Sequence, residues 1–148
     1  CCENTHYRSE AEFGTNGPVS LSLRFDAPDR SIVFTGDTGP CTKVEEFAKG
    51  AQLLVGEMMV AEHVIAQLQS KNPHMSAERI ALMGKHLREH HLSPEDLGDL
   101  AARAGVDHVV AVHIPLDSIN SASASEYISR IAQRFSGTIK IANDLDQF

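Results

Sequence analysis

The chain has 148 residues, of which 42% are hydrophobic and 22% are charged, and its formal net charge is −7. This length and composition suit one globular domain with its own hydrophobic core. The acidic balance argues against a surface built to bind nucleic acid, which requires clustered Lys and Arg, and no apolar run approaches the roughly 20 residues of a membrane-spanning helix.

The cysteines and the first residues bear on cellular context. Cys1, Cys2 and Cys41 are too few and too unevenly placed for a disulfide framework, so we expect a reducing compartment, the cytoplasm. The chain begins Cys1-Cys2-Glu3-Asn4 rather than with Met. We therefore expect a processed protein or a fragment of a longer one.

The first part of the chain predicts a hairpin, a short helix and a buried strand. Residues 19–25 alternate apolar and polar side chains, as a half-buried strand does, and residues 31–35 form the partner strand after a turn. Residues 42–50 read as a helix. Residues 53–55 are a short apolar run that ends at Gly56-Glu57 and predicts a buried strand.

The remainder predicts mostly helices. Ser93-Pro94-Glu95-Asp96 is a strong helix start and Gly105 a matching helix end. Residues 118–125 read as a small polar loop. The other expected elements are helices over 60–69, 76–90 and 126–135 and strands over 108–112 and 138–142. The order β-β-α-β-α-α-α-β-α-β is that of an α/β chain with helices packed on a sheet.

The turn after the second strand, Gly36-Asp37-Thr38-Gly39-Pro40, has two interpretations. Asp-Thr-Gly resembles the signature of aspartic proteases, in which two such loops share a proton between paired carboxylates. That family has an apolar residue before the Asp, where Gly36 stands here, and Ser, Thr or Ala after the Gly, where Pro40 stands. Its fold is also nearly all β, so the predicted helices argue against it.

The second interpretation makes Asp37 a metal ligand at the end of a strand. Strand ends in α/β sheets carry functional sites because side chains there project from a rigid frame. His113 ends the strand in "DHVVAVHIP", and His6 precedes the first clear strand in "ENTHY". Imidazole and carboxylate are the usual ligands of zinc and similar ions.

This ordered set resembles the C-terminal half of the metallo-β-lactamase superfamily, especially its ribonuclease Z-like and related hydrolase branches. "ENTHY" resembles the loop of the third-motif histidine, "SIVFTGDTGP" the fourth motif, and the segment ending in "VHIP" the fifth. The resemblance implies His6 as ligand to one metal, His113 as ligand to the other, and Asp37 as the bridge between them.

Two shorter segments resemble boxes of the ribonuclease Z branch. "HLS" is similar to its His-Ser-Thr box, which implies that His91 is a catalytic proton donor near the scissile bond. "LLVGEMM" is similar to its His-Glu-Ala-Thr box and matches Glu57, but Gly56 replaces the histidine. This departure argues against tRNA processing.

The main signature of the superfamily, His-x-His-x-Asp-His, is absent from the sequence. The family fold is a four-layer αβ/βα sandwich of two similar halves. The resemblance therefore implies that residues 1–148 form one half, a mixed sheet with helices on one face, whose other sheet face is apolar and associates with a partner. The partner would be the missing N-terminal half or, in a homodimer, a second copy.

The function implied for the intact protein is metal-dependent hydrolysis of an ester, amide or phosphodiester by a metal-bridging hydroxide, with Asp37 positioning two divalent ions. Zinc is the first choice of metal, and manganese or iron are alternatives. Each ion would have only two protein ligands from this chain, so we expect the chain alone to bind metal weakly and to be inactive. A non-catalytic half-domain that folds and associates is the alternative.

Overall fold

The computed structural model describes residues 1–7, 17–115 and 121–148. Its strands are β1 (Cys2–Glu3), β2 (Leu21–Asp26), β3 (Ser31–Phe34), β4 (Leu53–Glu57), β5 (His108–Val112) and β6 (Thr138–Ile141). Its helices are α1 (Thr42–Ala48), α2 (Ala61–Lys71), α3 (Ala77–His90), α4 (Pro94–Ala104) and α5 (Ser121–Ala132).

The described strands form one six-stranded mixed sheet in the order β1-β2-β3-β4-β5-β6. Strand β2 pairs antiparallel with both β1 and β3, and β3, β4, β5 and β6 run parallel. Helices connect the parallel strands, as parallel crossovers require. The carboxyl ends of β3, β4 and β5 therefore lie together at one edge of the sheet.

One face of the sheet, here called the inner face, carries the hydrophobic core. Val33, Leu54 and Val109 are adjacent in the register of β3, β4 and β5, and all three are almost completely buried. Helices α1, α4 and α5 cover this face with a set of buried side chains: Val44, Ala48, Leu97, Leu100, Ala101, Ala104, Tyr127 and Ile131. Because α4 is capped at both ends, by the Ser93–Asp96 capping box and by Gly105 at φ 65°, its apolar stripe is held against the sheet.

The opposite face, here called the outer face, is apolar and largely uncovered by the described residues. Leu21, Leu23, Phe25 and Phe34 are all classed as exposed, although they are large and hydrophobic. Leu23 and Phe34 are paired across β2 and β3, and the rings of Phe25 and Phe34 meet edge to face at 5.9 Å. An apolar surface of this kind marks a place of association.

The predicted fold class is confirmed: the chain is an α/β fold with a mixed sheet. Two local predictions were wrong. The short strand β1 was not foreseen, and the loop predicted over 118–125 is helical from Ser121 onward, with residues 116–120 outside the described residues. The last helix accordingly ends at Ala132 rather than at 135. Within the described residues, no helix has both the length and the apolar character needed to cross a bilayer.

Candidate metal centre

Asp37 lies in the turn that follows β3, at the carboxyl edge of the sheet. Gly36 has φ +59°, and a Cβ atom there would approach the carbonyl oxygen of Leu21 to 2.8 Å, so this turn requires glycine. The Ser20 hydroxyl donates a hydrogen bond to the carbonyl oxygen of Asp37 at 3.1 Å. The turn thereby presents the Asp37 carboxylate, 37% exposed, at the sheet edge.

His113 follows β5 and faces Asp37. Its Nδ1 lies 3.2 Å from Oδ1 of Asp37, so the structure brings these two predicted ligands into direct contact. His113 has φ 58°, a left-handed conformation that non-glycine residues seldom adopt. Backbone strain of this kind is concentrated at functional sites, where it orients a side chain.

His6 reaches the same edge from the N-terminal segment. Its Nδ1 is 3.1 Å from the carbonyl oxygen of His90, and Nδ1 of His90 is 3.0 Å from the carbonyl oxygen of Thr5. A carbonyl can only accept, so Nδ1 carries the proton in both rings. In the neutral rings the Nε2 atoms of His6 and His90 keep their lone pairs, which is the arrangement that metal-ligating histidines commonly have.

Glu57 and His91 form a buried pair beside Asp37. Glu57 ends β4 and is 2% exposed, while His91 directly follows α3 and is 7% exposed. Oε1 of Glu57 accepts hydrogen bonds from the backbone N–H groups of Thr38 at 3.2 Å and Leu92 at 3.0 Å. It also lies 3.3 Å from Nδ1 of His91. This carboxylate thus fixes the Asp37 turn, the end of α3 and the His91 ring together.

The contact between Glu57 and His91 is an ion-pair approach rather than an aligned hydrogen bond. Within the described part of the chain, Nδ1 of His91 and Oε2 of Glu57 are buried and have no hydrogen-bond partner. Burial lowers the pKa of His91, but the Glu57 carboxylate at 3.3 Å and the charge of Asp37 together outweigh it, and the pKa lies above its usual value. The two nearby carboxylates therefore favour the protonated form of His91.

The side chains fit divalent metal ions. Two groups have all their ligand atoms within 4.8 Å of one another: His6, Asp37 and His91 form one, and Glu57, His91 and His113 form the other. Carboxylate and imidazole donors suit zinc and, with more oxygen ligands, manganese or iron. The orphaned polar atoms of the buried pair are a further sign of a site that takes an additional group.

The structure thus brings together all four residues that the sequence singled out: His6, Asp37, His91 and His113. His91 belongs to both groups of ligand atoms. The sequence analysis instead predicted that Asp37 bridges the two ions. The sequence analysis assigned no role to His90. Its ring holds Thr5 and His6 in place through a contact with the carbonyl oxygen of Thr5, 85 positions away in the sequence. The pair His90-His91 at a helix end was the available signal.

The comparisons agree with this geometry. No protein-family model matches the chain. The metallo-β-lactamase fold protein YhfI of Bacillus subtilis superposes over 96% of this chain and 44% of its own with a TM-score of 0.64, at 16% sequence identity. The chain therefore has the metallo-β-lactamase fold.

Sequence comparison also finds similar proteins. The chain is 28% identical over 126 residues to ribonuclease Z of Mycobacterium marinum and 27% identical over 126 residues to ribonuclease Z of Mycobacterium tuberculosis strain H37Rv. Each match covers 85% of this chain and 40% or 41% of the relative, so the chain spans less than half of their length. The chain thus has the metallo-β-lactamase fold and is similar in sequence to these proteins named ribonuclease Z.

Proposed function

We propose that this chain supplies one half of a metal-dependent hydrolase that cleaves phosphodiester bonds in RNA. The observation that carries the proposal is the convergence of residues distant in sequence into two groups with metal-ligand spacing. The first is His6, Asp37 and His91, and the second is Glu57, His91 and His113. The relatives named ribonuclease Z favour a phosphodiester over an ester or amide. They also weigh against our expectation, from the net charge, that nucleic acid is an unlikely partner.

In this proposal His6, Asp37 and His113 hold zinc, with His91 and Glu57 at the boundary of the two groups. Divalent ions bound there supply an activated water at neutral pH and polarise the bond to be broken. The chain contributes orientation: Nδ1 of His6 is tied to a backbone carbonyl, and the strained backbone of His113 directs its ring toward Asp37. Preorganised ligands of this kind need no rearrangement to receive an ion.

His91 is the proton donor in this proposal. Nδ1 of its ring faces Glu57, so Nε2–H is the atom that gives a proton to the leaving oxygen. The Glu57 carboxylate and the charge of Asp37 raise the pKa of His91, which favours the protonated ring that general-acid catalysis requires. Glu57 holds the His91 ring in this orientation, while its Oε1 accepts hydrogen bonds from the backbone N–H groups of Thr38 and Leu92.

Metal binding tests the ligand assignment. Zinc binding to the chain and to Asp37→Ala is measured by calorimetry, with Asp29→Ala, an exposed turn aspartate, as the matched control. We expect the Asp37 change to weaken binding by about tenfold or more, since one charged ligand is lost. Equal zinc affinity in Asp37→Ala and the unchanged chain would refute the assignment.

A partner for the outer face completes the proposal. The exposed Leu21, Leu23, Phe25 and Phe34 form an apolar surface where the family sandwich has its second sheet. We propose that an N-terminal half covers this face and supplies further metal ligands. The alternative is a homodimer that stacks two outer faces, without catalysis.

Analytical ultracentrifugation of the chain distinguishes the two possible partners of the outer face, an N-terminal half and a second copy. A stable dimer that becomes monomeric in Phe25→Lys, but not in Leu82→Lys, favours stacked copies, because Leu82 is equally exposed but lies on α3. Restoration of a soluble complex by a co-expressed N-terminal half favours the intact hydrolase. A chain that stays monomeric and does not bind a co-expressed N-terminal half would contradict both forms of association.

A further inference from the structure

A cavity of about 300 Å³ opens beside His91, between the starts of α2 and α4 and the ends of α3 and α5. We propose that it receives one nucleobase of the RNA substrate next to the bond that is cleaved. The inference rests on the proposed function, because it assigns a purpose to a cavity next to that site. Its volume is at the low end of the range for small-ligand sites, about 300–1,000 Å³, which suits a single nucleoside.

One wall of the cavity is apolar. Met59, Val60 and Leu87 line it, and Val60 and the adjoining Ala61 are themselves buried against the fold. A flat ring can lie against such a surface with its faces removed from water. Stacking and apolar contact of this type are how single-stranded bases are held in proteins.

The other wall carries two arginines that are already paired with carboxylates, together with the Asp96 carboxylate, which bonds Ser93. Arg88 contacts Glu62 at 3.4 Å, and Arg130 makes a bidentate pair with Glu95 at 2.7 and 2.9 Å. A free phosphate would face these carboxylates and gain little net attraction. A neutral base, in contrast, can stack on a guanidinium plane and use its edge for hydrogen bonds, and this balance is why we choose a base over a phosphate.

Polar groups also line the cavity. His91 is one of them and is 7% exposed, with Nδ1 turned toward Glu57. Helix α2 begins beside it after Val60, which has no side chain able to cap the first-turn N–H groups. A base edge offers acceptors for such donors, and the position beside His91 would place the adjoining phosphodiester within reach of the proton donor.

The test measures binding without metal. The chain, in the presence of EDTA, is titrated with cytidine 5′-monophosphate, adenosine 5′-monophosphate and ribose 5-phosphate, and binding is followed by NMR shifts of the backbone amides. We expect at least one nucleotide to bind about tenfold more tightly than ribose 5-phosphate, a difference of about 1.4 kcal/mol. The shifted amides should include those at the start of α2 and the end of α3.

Variants locate the binding. Leu87→Trp fills the cavity from its apolar wall, and Arg88→Ala removes a stacking plane; each should weaken nucleotide binding about fivefold or more. Arg79→Ala, on the same helix but outside the cavity lining, is the matched control and should leave it unchanged. Arg88 is exposed, so this variant should keep its fold even if Leu87→Trp does not.

Asp37→Ala separates this inference from the proposed function. Nucleotide binding retained in that variant, together with unchanged zinc affinity, would support the base subsite while refuting the metal centre. Equal binding of ribose 5-phosphate and both nucleotides, absence of saturable nucleotide binding, or full binding in both Leu87→Trp and Arg88→Ala would overturn the base subsite. Zinc binding that depends on Asp37 would stand in each of those cases.

Discussion

Two acid–histidine pairs meet at the carboxyl edge of the sheet, and they are built in opposite ways. Glu57 and His91 are 2% and 7% exposed, and the carboxylate accepts hydrogen bonds from two backbone N–H groups. Asp37 and His113 are 37% and 52% exposed and lie in a turn and on a strained backbone. The buried pair is thus part of the folded framework, while the exposed pair remains accessible to metal and substrate.

The largest expected contrast is between Glu57→Ala and Asp37→Ala in the absence of metal. Removing the Glu57 carboxylate leaves the buried N–H groups of Thr38 and Leu92 without an acceptor, which should cost about 3 kcal/mol of unfolding free energy. Asp37→Ala should change it by less than about 0.5 kcal/mol. Urea unfolding measures both, and equal losses would break the distinction between framework pair and ligand pair.

Gly39 lies in the turn of Asp37, against the helix end that precedes His91. Its substitution is expected to give the next largest loss of stability. A Cβ atom at Gly39 would collide with the carbonyl oxygen of Glu89, because the Asp37 turn passes directly against the end of α3. Gly39→Ala should therefore destabilise by about 2 kcal/mol and weaken zinc binding. Gly50→Ala is the control: Gly50 has φ +66° but open space around it, so strain of about 1 kcal/mol is expected with zinc affinity unchanged.

Glu95 forms a third charged pair, with Arg130, and shows how strongly burial affects the stability that such a pair contributes. Its bidentate pair with Arg130 has better geometry than either site pair, but both side chains are partly exposed. The hydrogen bond from Arg130 holds the pKa of Glu95 below its usual value of 4.5. After allowance for solvent screening, Glu95→Gln should cost up to about 1 kcal/mol at pH 7.

The pH dependence of this loss has a definite sign. A carboxyl whose folded-state pKa is lowered stabilises the fold above its ordinary pKa, and the contribution disappears as pH falls through the lowered value. The difference between the unchanged chain and Glu95→Gln should therefore shrink steadily in urea titrations below pH 4.5. Glu46→Gln, at an exposed pair with Lys49, should show little difference at any pH, and a constant Glu95 difference down to strongly acidic pH would contradict the assignment.

The smallest effect tests the strain in the exposed pair. His113→Gly relieves a left-handed backbone but makes the unfolded chain more flexible, so a net gain of about 0.5 kcal/mol is expected. Zinc affinity should fall in the same variant. His108→Gly, in ordinary strand conformation at the other end of β5, should instead destabilise, and a loss of stability in both variants would remove strain from the description of His113.

Sequence patterns were sufficient for the parts of the site that depend on local order. The strand end before Asp37, the strand before His113 and the capped start of α4 all follow from periodicity and turn chemistry within a few residues. Parallel strand order then places such ends at one edge. This is why His113 and Asp37 could be named together before their contact was seen.

Long-range backbone contacts were beyond the reach of those patterns. The acceptor role of Glu57 depends on N–H groups 19 and 35 positions away, and nothing in the sequence near Glu57 specifies them. The start of α5 was missed for a different reason. Its first turns are rich in Ser and Ala, a composition shared by loops. Among residues 123–132, whose side chains the structure describes, Tyr127 and Ile131 are the fully buried ones, and both lie in the second half of the helix.

The reciprocal bonds between the Thr5-His6 segment and His90 also bear on the order in which the chain folds. They join positions 84 and 85 residues apart, and β1 adds to the sheet edge through only two residue pairs. Closing so long a loop costs entropy that few contacts repay until α3 and β2 are already in place. We therefore expect the N-terminal segment to dock last, so that His6 would join the centre only when the rest of it has formed.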